Sequence, residues 1–247
     1  MTSWEFPAHD PVDLQIRIPS GGITVEAGPA QTATVTLNPD RPGDRGEKLL
    51  TATRVEFDHG ALSVIAPPAH GLDRSGGLEA VIQVPENSSC LVNTAAADVR
   101  CTGPLSALDI RTASGDVTAE QVTGRAQITT ASGDVHVGQA AELTVETASG
   151  DVSAGRVGGE ITVRTASGDV EIGSASGPNA DIRATSGDIG IAVTPGIGIY
   201  LDISTLSGTV RSELEPSEGG DRADMTLTCR TISGDVQITR AAQPATR

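Results

Sequence analysis

Apolar and polar residues alternate on both sides of a recurring corner, Thr-Ala-Ser-Gly-Asp-Val, and the alternation keeps its register from one corner to the next. The hexapeptide stands at Thr112–Val117, Thr130–Val135, Thr147–Val152 and Thr165–Val170. Its glycines, Gly115, Gly133, Gly150 and Gly168, are 18, 17 and 18 residues apart. Two residues after them come Val117, Val135, Val152 and Val170. Five before come Ile110, Ile128, Val145 and Val163, and seven before come Leu108, Ala126, Leu143 and Ile161. A period of two is that of a strand with one buried face. Each unit therefore predicts a strand, a tight corner, a second strand, and a looser return through Val122, Ala140, Val157 or Ala175.

The register runs on beyond the perfect copies. Downstream it gives Gly187, Gly208 and Gly234, followed two residues later by Ile189, Val210 and Val236. Upstream it gives Ala97, with Val92 five before and Val99 two after, which makes eight corners from Ala97 to Gly234. A unit this short cannot bury its own apolar face, so copies must stack and share a core. Equivalent side chains on successive coils would then lie about 4.8 Å apart, the spacing of paired strands. The fold class predicted is all-β, a parallel β-solenoid of about eight coils of 17–19 residues.

Residues 1–86 lack the clean repeat and read as a β-rich capping module. Leu14, Ile16 and Ile18 alternate into Pro19-Ser-Gly-Gly22, and Ile23 and Val25 follow; relative to Gly21 these fill the repeat's apolar slots, as a first, divergent coil would. Thr32–Leu37 reads as a strand, Pro39–Gly43 as a turn cluster, Val55–Val64 as a hairpin about Asp58-His-Gly60, Pro67–Gly77 as a loop and Leu78–Val84 as a strand. Such a cap would cover strand edges that otherwise invite aggregation. Residues 87–240 form the solenoid proper, and 241–247 a disordered tail. The corner spacing lengthens to 19, 21 and 26 residues, the last because of an acidic excursion with Glu213, Glu215, Glu218, Asp221 and Asp224, ahead of a strand Met225–Arg230.

Composition agrees with narrow coils. The 247 residues include only Trp4, Phe6, Phe57 and Tyr200 as aromatics, where a broad globular core would use more. The net charge of -15 argues against nucleic-acid binding. No apolar run is long enough to span a membrane, and Met1–Pro7 lacks the basic and apolar regions of a secretory signal. Cys90, Cys101 and Cys229 all fall in inward slots and read as buried, reduced core residues. Reduced cysteines without a signal point to the cytoplasm.

The chemistry-bearing candidates sit at the corners. The residue after the corner is Asp98, Asp116, Asp134, Asp151, Asp169, Asp188 and Asp235, with Thr209 the exception. Aspartate readily accepts hydrogen bonds from the amides of its own turn, which makes the row structural. Its carboxylates could also form a ladder of cation sites, since hard cations favour such oxygens. The calcium-binding nonapeptide pattern is not matched. Gly115, Gly133, Gly150, Gly168, Gly187, Gly208 and Gly234 are the structural corners. Three residues before the corners stand Thr94, Thr112, Thr130, Thr147, Thr165, Thr205 and Thr231, interrupted by Ala184. Inward methyls, with hydroxyls bonded along the stack, account for them. His9, His59, His70 and His136 show no ligand spacing, and Asn87-Ser-Ser89 is a chance glycosylation sequon in a chain without a signal. No phosphate-binding loop, dinucleotide fingerprint or nucleophile elbow occurs.

The Ser-Gly-Asp-Val repeats, the opening Ser20-Gly-Gly-Ile-Thr-Val25, the Val55–Val64 hairpin and the closing Thr228–Ile238 together resemble bacterial β-strand-repeat proteins of unknown function commonly labelled "putative adhesins", here of the signal-less actinobacterial type. The resemblance covers nearly the whole chain; it implies an architecture and names no chemistry. The row of aspartates also resembles the carboxylates that some β-helical polysaccharide enzymes place along one sheet, but a glycosidase needs a groove between two carboxyls, and these coils have short, nearly uniform loops. The reading is therefore a non-enzymatic scaffold or protein-interaction module with a protein partner, no cofactor and no metal. Outward Arg111, Arg164, Arg183 and Arg230 form a mixed-charge stripe for that partner. A carbohydrate- or cation-binding adhesin-like module using the aspartates is the alternative, and a polysaccharide hydrolase or lyase the third.

Overall fold

The computed structural model describes residues 1–41, 43–68, 76–214 and 223–242. The fold is all-β and mostly parallel, with one nine-residue helix, and divides into two compact units, Met1–Gly133 and Asp134–Arg247. The acidic excursion at 215–222 and the tail at 243–247 lie outside the described residues.

The first unit contains β1 (Thr2–Pro7), β2 (Asp13–Arg17), β3 (Ser20–Gly28), β4 (Thr32–Pro39), α1 (Asp44–Ala52), β5 (Arg54–Asp58), β6 (Ala61–Ile65), β7 (Leu78–Pro85), β8 (Ser89–Asn93), β9 (Ala96–Leu105), β10 (Ala107–Arg111) and β11 (Val117–Ser132). Two parallel ladders run through it. One stacks β6, β2, β8, β10 and the second half of β11 in register, so that Leu62, Leu14, Cys90, Leu108 and Ala126 form one buried column. Val64, Ile16, Val92, Ile110 and Ile128 form the next. The other ladder stacks β7, β3, β9 and the first half of β11, aligning Ile82, Val25, Cys101 and Ala119. Each fully buried Val, Leu or Ile contributes roughly 1.5–3 kcal/mol, and the register places one on most levels of these columns, with the smaller Cys90, Ala126, Cys101 and Ala119 on the others.

The Gly21 corner is thus a rung of the stack, since Gly21, Ile23 and Val25 pair with Ala97, Val99 and Cys101. It lies between β6–β7 and β8–β9, so spatial order departs from chain order. Antiparallel strands flank the outermost rung: β4 on β7, β1 on β4, and β5 on β6. The rings of Phe6 and Phe57 stack at 5.3 Å. Helix α1, which packs on β4 and β7, is absent from the sequence reading. Its only apolar side chains are Leu49, Leu50 and Ala52, too few to establish a helical period.

The second unit contains β12 (Val135–Ser149), β13 (Val152–Val157), β14 (Ile161–Ser167), β15 (Val170–Ala175), β16 (Asn179–Ser186), β17 (Ile189–Val193), β18 (Ile199–Ser207), β19 (Val210–Ser212), β20 (Met225–Ser233) and β21 (Val236–Arg240). One ladder aligns Leu143, Ile161, Ala180, Leu227 and Leu201, and the other aligns Val135, Val152, Val170, Ile189, Val236 and Val210. Chain order fails here too. The last strands, β20 and β21, sit between β16–β17 and β18–β19, so the Gly208 rung is outermost and the Gly234 rung penultimate.

Candidate functional site

The aspartate row is held by hydrogen bonds that run from rung to rung. In the first unit the Asp116 amide donates to Asp98 Oδ1 at 3.0 Å. In the second unit the amide of Asp151 donates to Asp134 Oδ1 at 2.9 Å, that of Asp169 to Asp151 at 2.8 Å, that of Asp188 to Asp169 at 2.8 Å and that of Asp235 to Asp188 at 2.7 Å. The series ends with the Thr209 amide donating to Asp235 Oδ1 at 2.7 Å. Each of these carboxylates therefore receives the amide of the neighbouring rung, where the sequence reading has it bonding within its own turn. Thr209 ceases to be an anomaly: among the described residues its rung is the outermost, and no further amide awaits an acceptor. Repulsion between charges at the ladder spacing costs about 0.9 kcal/mol per pair in bulk water. A charge-assisted N–H···O bond at each step offsets it. Every carboxylate is exposed, and among the described residues no cluster of three or more His, Cys, Asp or Glu side chains could hold a metal ion.

The glycines are required twice over. From Gly133 to Gly234 the corner φ angles lie between +132° and +154°, a region other residues avoid. A Cβ on Gly168 would also stand 2.2 Å from the carbonyl oxygen of Gly150 on the rung beneath. Gly115 lacks the positive φ and is held to glycine by approach alone, 2.3 Å from the Ala97 carbonyl oxygen. The threonines face inward and are buried at Thr112, Thr130, Thr147, Thr165 and Thr231. Their hydroxyls mostly turn back on their own corner: Thr130 donates to Ser132 O, Thr147 to Ser149 O and Thr165 to Ser167 O, at 3.1–3.2 Å. Thr94, Thr205 and Thr231 reach a neighbouring rung, at the carbonyls of Pro19, Gly234 and Gly187. Bonding along the stack is thus shared with bonding to the corner carbonyl two residues on, and Thr231 does both.

The cysteines are free and buried. A hydrogen bond with the Cys101 thiol, followed by burial, pushes Cys90 well above the ordinary thiol range. Burial, with the Asp181 charge second, pushes Cys229 up to about 12. On the outward face of the second unit, Arg164, Arg183 and Arg230 are lateral neighbours on successive rungs. They pair with Glu146 at 3.1 Å, Asp181 at 2.9 Å and Asp202 at 2.9 Å. Arg111, in the first unit, pairs with Asp109 at 3.4 Å. His136 Nδ1 and Ser153 Oγ share a hydrogen bond of 2.8 Å.

One feature escapes the sequence reading altogether. Residues 66–77 separate β6 from β7, where the same corner between β2 and β3 is the tight Ile18-Pro19-Ser20-Gly21. Beside it lies a cleft of about 730 Å³ walled by Ile18, Pro19, Ile65 and Ala66, with the polar Arg17 and Asn93 also lining it. The signal available was the length of Pro67–Gly77, twice that of any neighbouring corner in the first unit.

The Toastrack DUF4097 family profile matches residues 7–158 and again residues 78–246. No curated protein matches the chain. Among solved structures, the chain is similar to a protein from Parabacteroides distasonis ATCC 8503 described as a "putative lipid binding protein", at a TM-score of 0.58 and 15% identity over 97% of this chain and 96% of that one. It is also similar to a "putative adhesin" from Bacteroides fragilis NCTC 9343, at a TM-score of 0.51 and 11% identity over 96% of both chains. At these identities the likeness speaks for the fold alone. With both profile matches together reaching from residue 7 to residue 246, the chain belongs to the Toastrack DUF4097 family.

Proposed function

We propose that the chain is a non-enzymatic β-solenoid scaffold that binds a protein partner through its outward faces. In this reading about eight coils of 17–19 residues stack over residues 87–240, and residues 1–86 supply the cap. The observation that carries it is the stripe of Arg164, Arg183 and Arg230, each fixed by a carboxylate on a regular ladder. Paired charges in a set pattern select a partner by electrostatic complementarity. The engaged Oδ1 atoms of the aspartate row support the same reading, since those oxygens serve the stack. Cytoplasmic placement is part of the proposal and is supported by three free, buried cysteines. The test is capture from extracts of the native cell with the wild type and an Arg164→Glu/Arg183→Glu variant. A stoichiometric protein retained by the first and lost by the second is expected. Equal retention by both, or release of sugars from polysaccharide by the pure protein, would contradict the reading.

A second reading has its own observation. The cleft near Arg17 combines apolar walls with a cation, which suits an amphiphile with an anionic head. The likeness to the Parabacteroides distasonis protein described as lipid binding supports it by analogy of fold. A fluorescent fatty acid that binds the wild type and not an Ile65→Asp variant would favour this reading.

A further inference from the structure

The outermost rung of the second unit has a neighbour on one side only among the described residues: β18 pairs with β20 and β19 with β21. Its core-facing residues show the consequence. Leu201, Ile203 and Thr205 are half-buried and Val210 is 44% exposed, whereas Leu227, Cys229, Thr231 and Val236 one rung inward are buried. On the outward face Tyr200 is 61% and Leu206 84% exposed, beside Ile232 at 54%. The free side of β18 also carries a row of backbone donors and acceptors, a template for another strand. The first unit manages its outer strands differently. There β1 carries Glu5 and Pro7, and β5 carries Arg54, Glu56 and Asp58, residues that blunt an edge. Strand β18 carries a single charge, Asp202, already paired with Arg230.

We infer that β18 pairs antiparallel with β18 of a second copy of this chain, about a two-fold axis at Ile203. A two-fold contact must be self-complementary, and this register is. Facing outward, Tyr200 lies opposite Leu206 and Asp202 opposite Ser204. Facing inward, Leu201 lies opposite Thr205 and Ile203 opposite its own copy, which continues the apolar column. Centring the axis on Asp202 instead sets two carboxylates against each other. Centring it on Ser204 sets Asp202 against Leu206 and Tyr200 against Gly208, which has no side chain to meet it. The charge of -15 on each copy opposes association at low salt, and counterions screen it beyond about 8 Å at physiological ionic strength. The inference stands whichever partner the arginine stripe takes.

Sedimentation of the full chain over a concentration series in ~0.05 to ~0.5 M salt, where the screening length falls from about 14 to about 4 Å, is the test. A monomer–dimer equilibrium that tightens with salt is expected. Ser204→Asp should weaken it about tenfold, because two symmetry-related like-charge pairs then oppose across the strands. Ser204 is exposed and neighbours Arg230, so an unchanged melting curve is expected for that variant. Adding Asp202→Asn to Ser204→Asp should restore association, while Ser204→Asn alone should leave it intact. A wild type that stays monomeric throughout overturns the inference. So does an association that ignores Ser204→Asp, or one that the second substitution fails to restore.

Discussion

At the scale of single residues, the corner does three jobs with three side chains. Glycine lets two rungs approach, aspartate ties the next rung's amide, and threonine fills the interior, with the hydroxyls of Thr130, Thr147, Thr165 and Thr231 satisfied at the corner carbonyl. The aspartate job predicts a graded series at Asp169. Asp169→Ala removes the acceptor for the Asp188 amide and should cost about 1 kcal/mol in a urea melt. Asp169→Asn keeps an oxygen in place and should cost less. Thr209→Asp should bring no gain, since among the described residues the outermost rung has no further amide to accept. Gly168→Val should cost more than about 3 kcal/mol, because its Cβ meets the Gly150 carbonyl and its φ is +132°. The buried thiol of Cys229 sets a pH dependence. Its folded pKa, about 12, lies above the ordinary thiol value of 9.0, so the folded state holds the proton more tightly. The stability this contributes is complete below pH 9.0 and is lost as pH rises toward about 12. Melting temperatures across that window should fall for the wild type and fall less for Cys229→Ala.

At the scale of elements, the rung order is the principal finding. Cysteine pairs introduced on outward positions test it. Arg183→Cys with Arg230→Cys should cross-link readily, as should Arg230→Cys with Ser204→Cys, since these are lateral neighbours. Arg183→Cys with Ser204→Cys, two rungs and about 9.6 Å apart, should not. Chain-order stacking would give the reverse for the first and third pairs. The inward faces were legible in the sequence, because alternation about Gly115, Gly133, Gly150 and Gly168 states which side of each strand is buried. The order of rungs was not, because Val170, Ile189, Val236 and Val210 are nearly interchangeable as neighbours. Thr209 was the one residue that marked the outermost rung, and its meaning appears only once the aspartate is seen to serve the adjacent rung. The helix was hidden for a related reason: α1 packs on the distant strands β4 and β7, and a local period did not announce it. The cleft depends on how Ile65, Ala66 and Gly76 stand beside Ile18 and Asn93, a relation between distant segments that no local pattern contains.

At the scale of the whole molecule, the account joins a strongly acidic chain to a fold whose aspartates are brought into rows. Such a chain could be a cation-dependent binder or a self-sufficient scaffold, and the same residues would serve either. The central claim is that the aspartate row holds rungs together and needs no ion to do so. The most direct test is the melting temperature of the full chain in millimolar calcium, against sodium chloride and magnesium at matched ionic strength, for the wild type and Asp151→Asn. A ligand bound only by the folded state raises stability by mass action. The account predicts no calcium-specific rise in either protein. A rise seen with calcium in the wild type and lost in Asp151→Asn would contradict it and assign the row to cation binding.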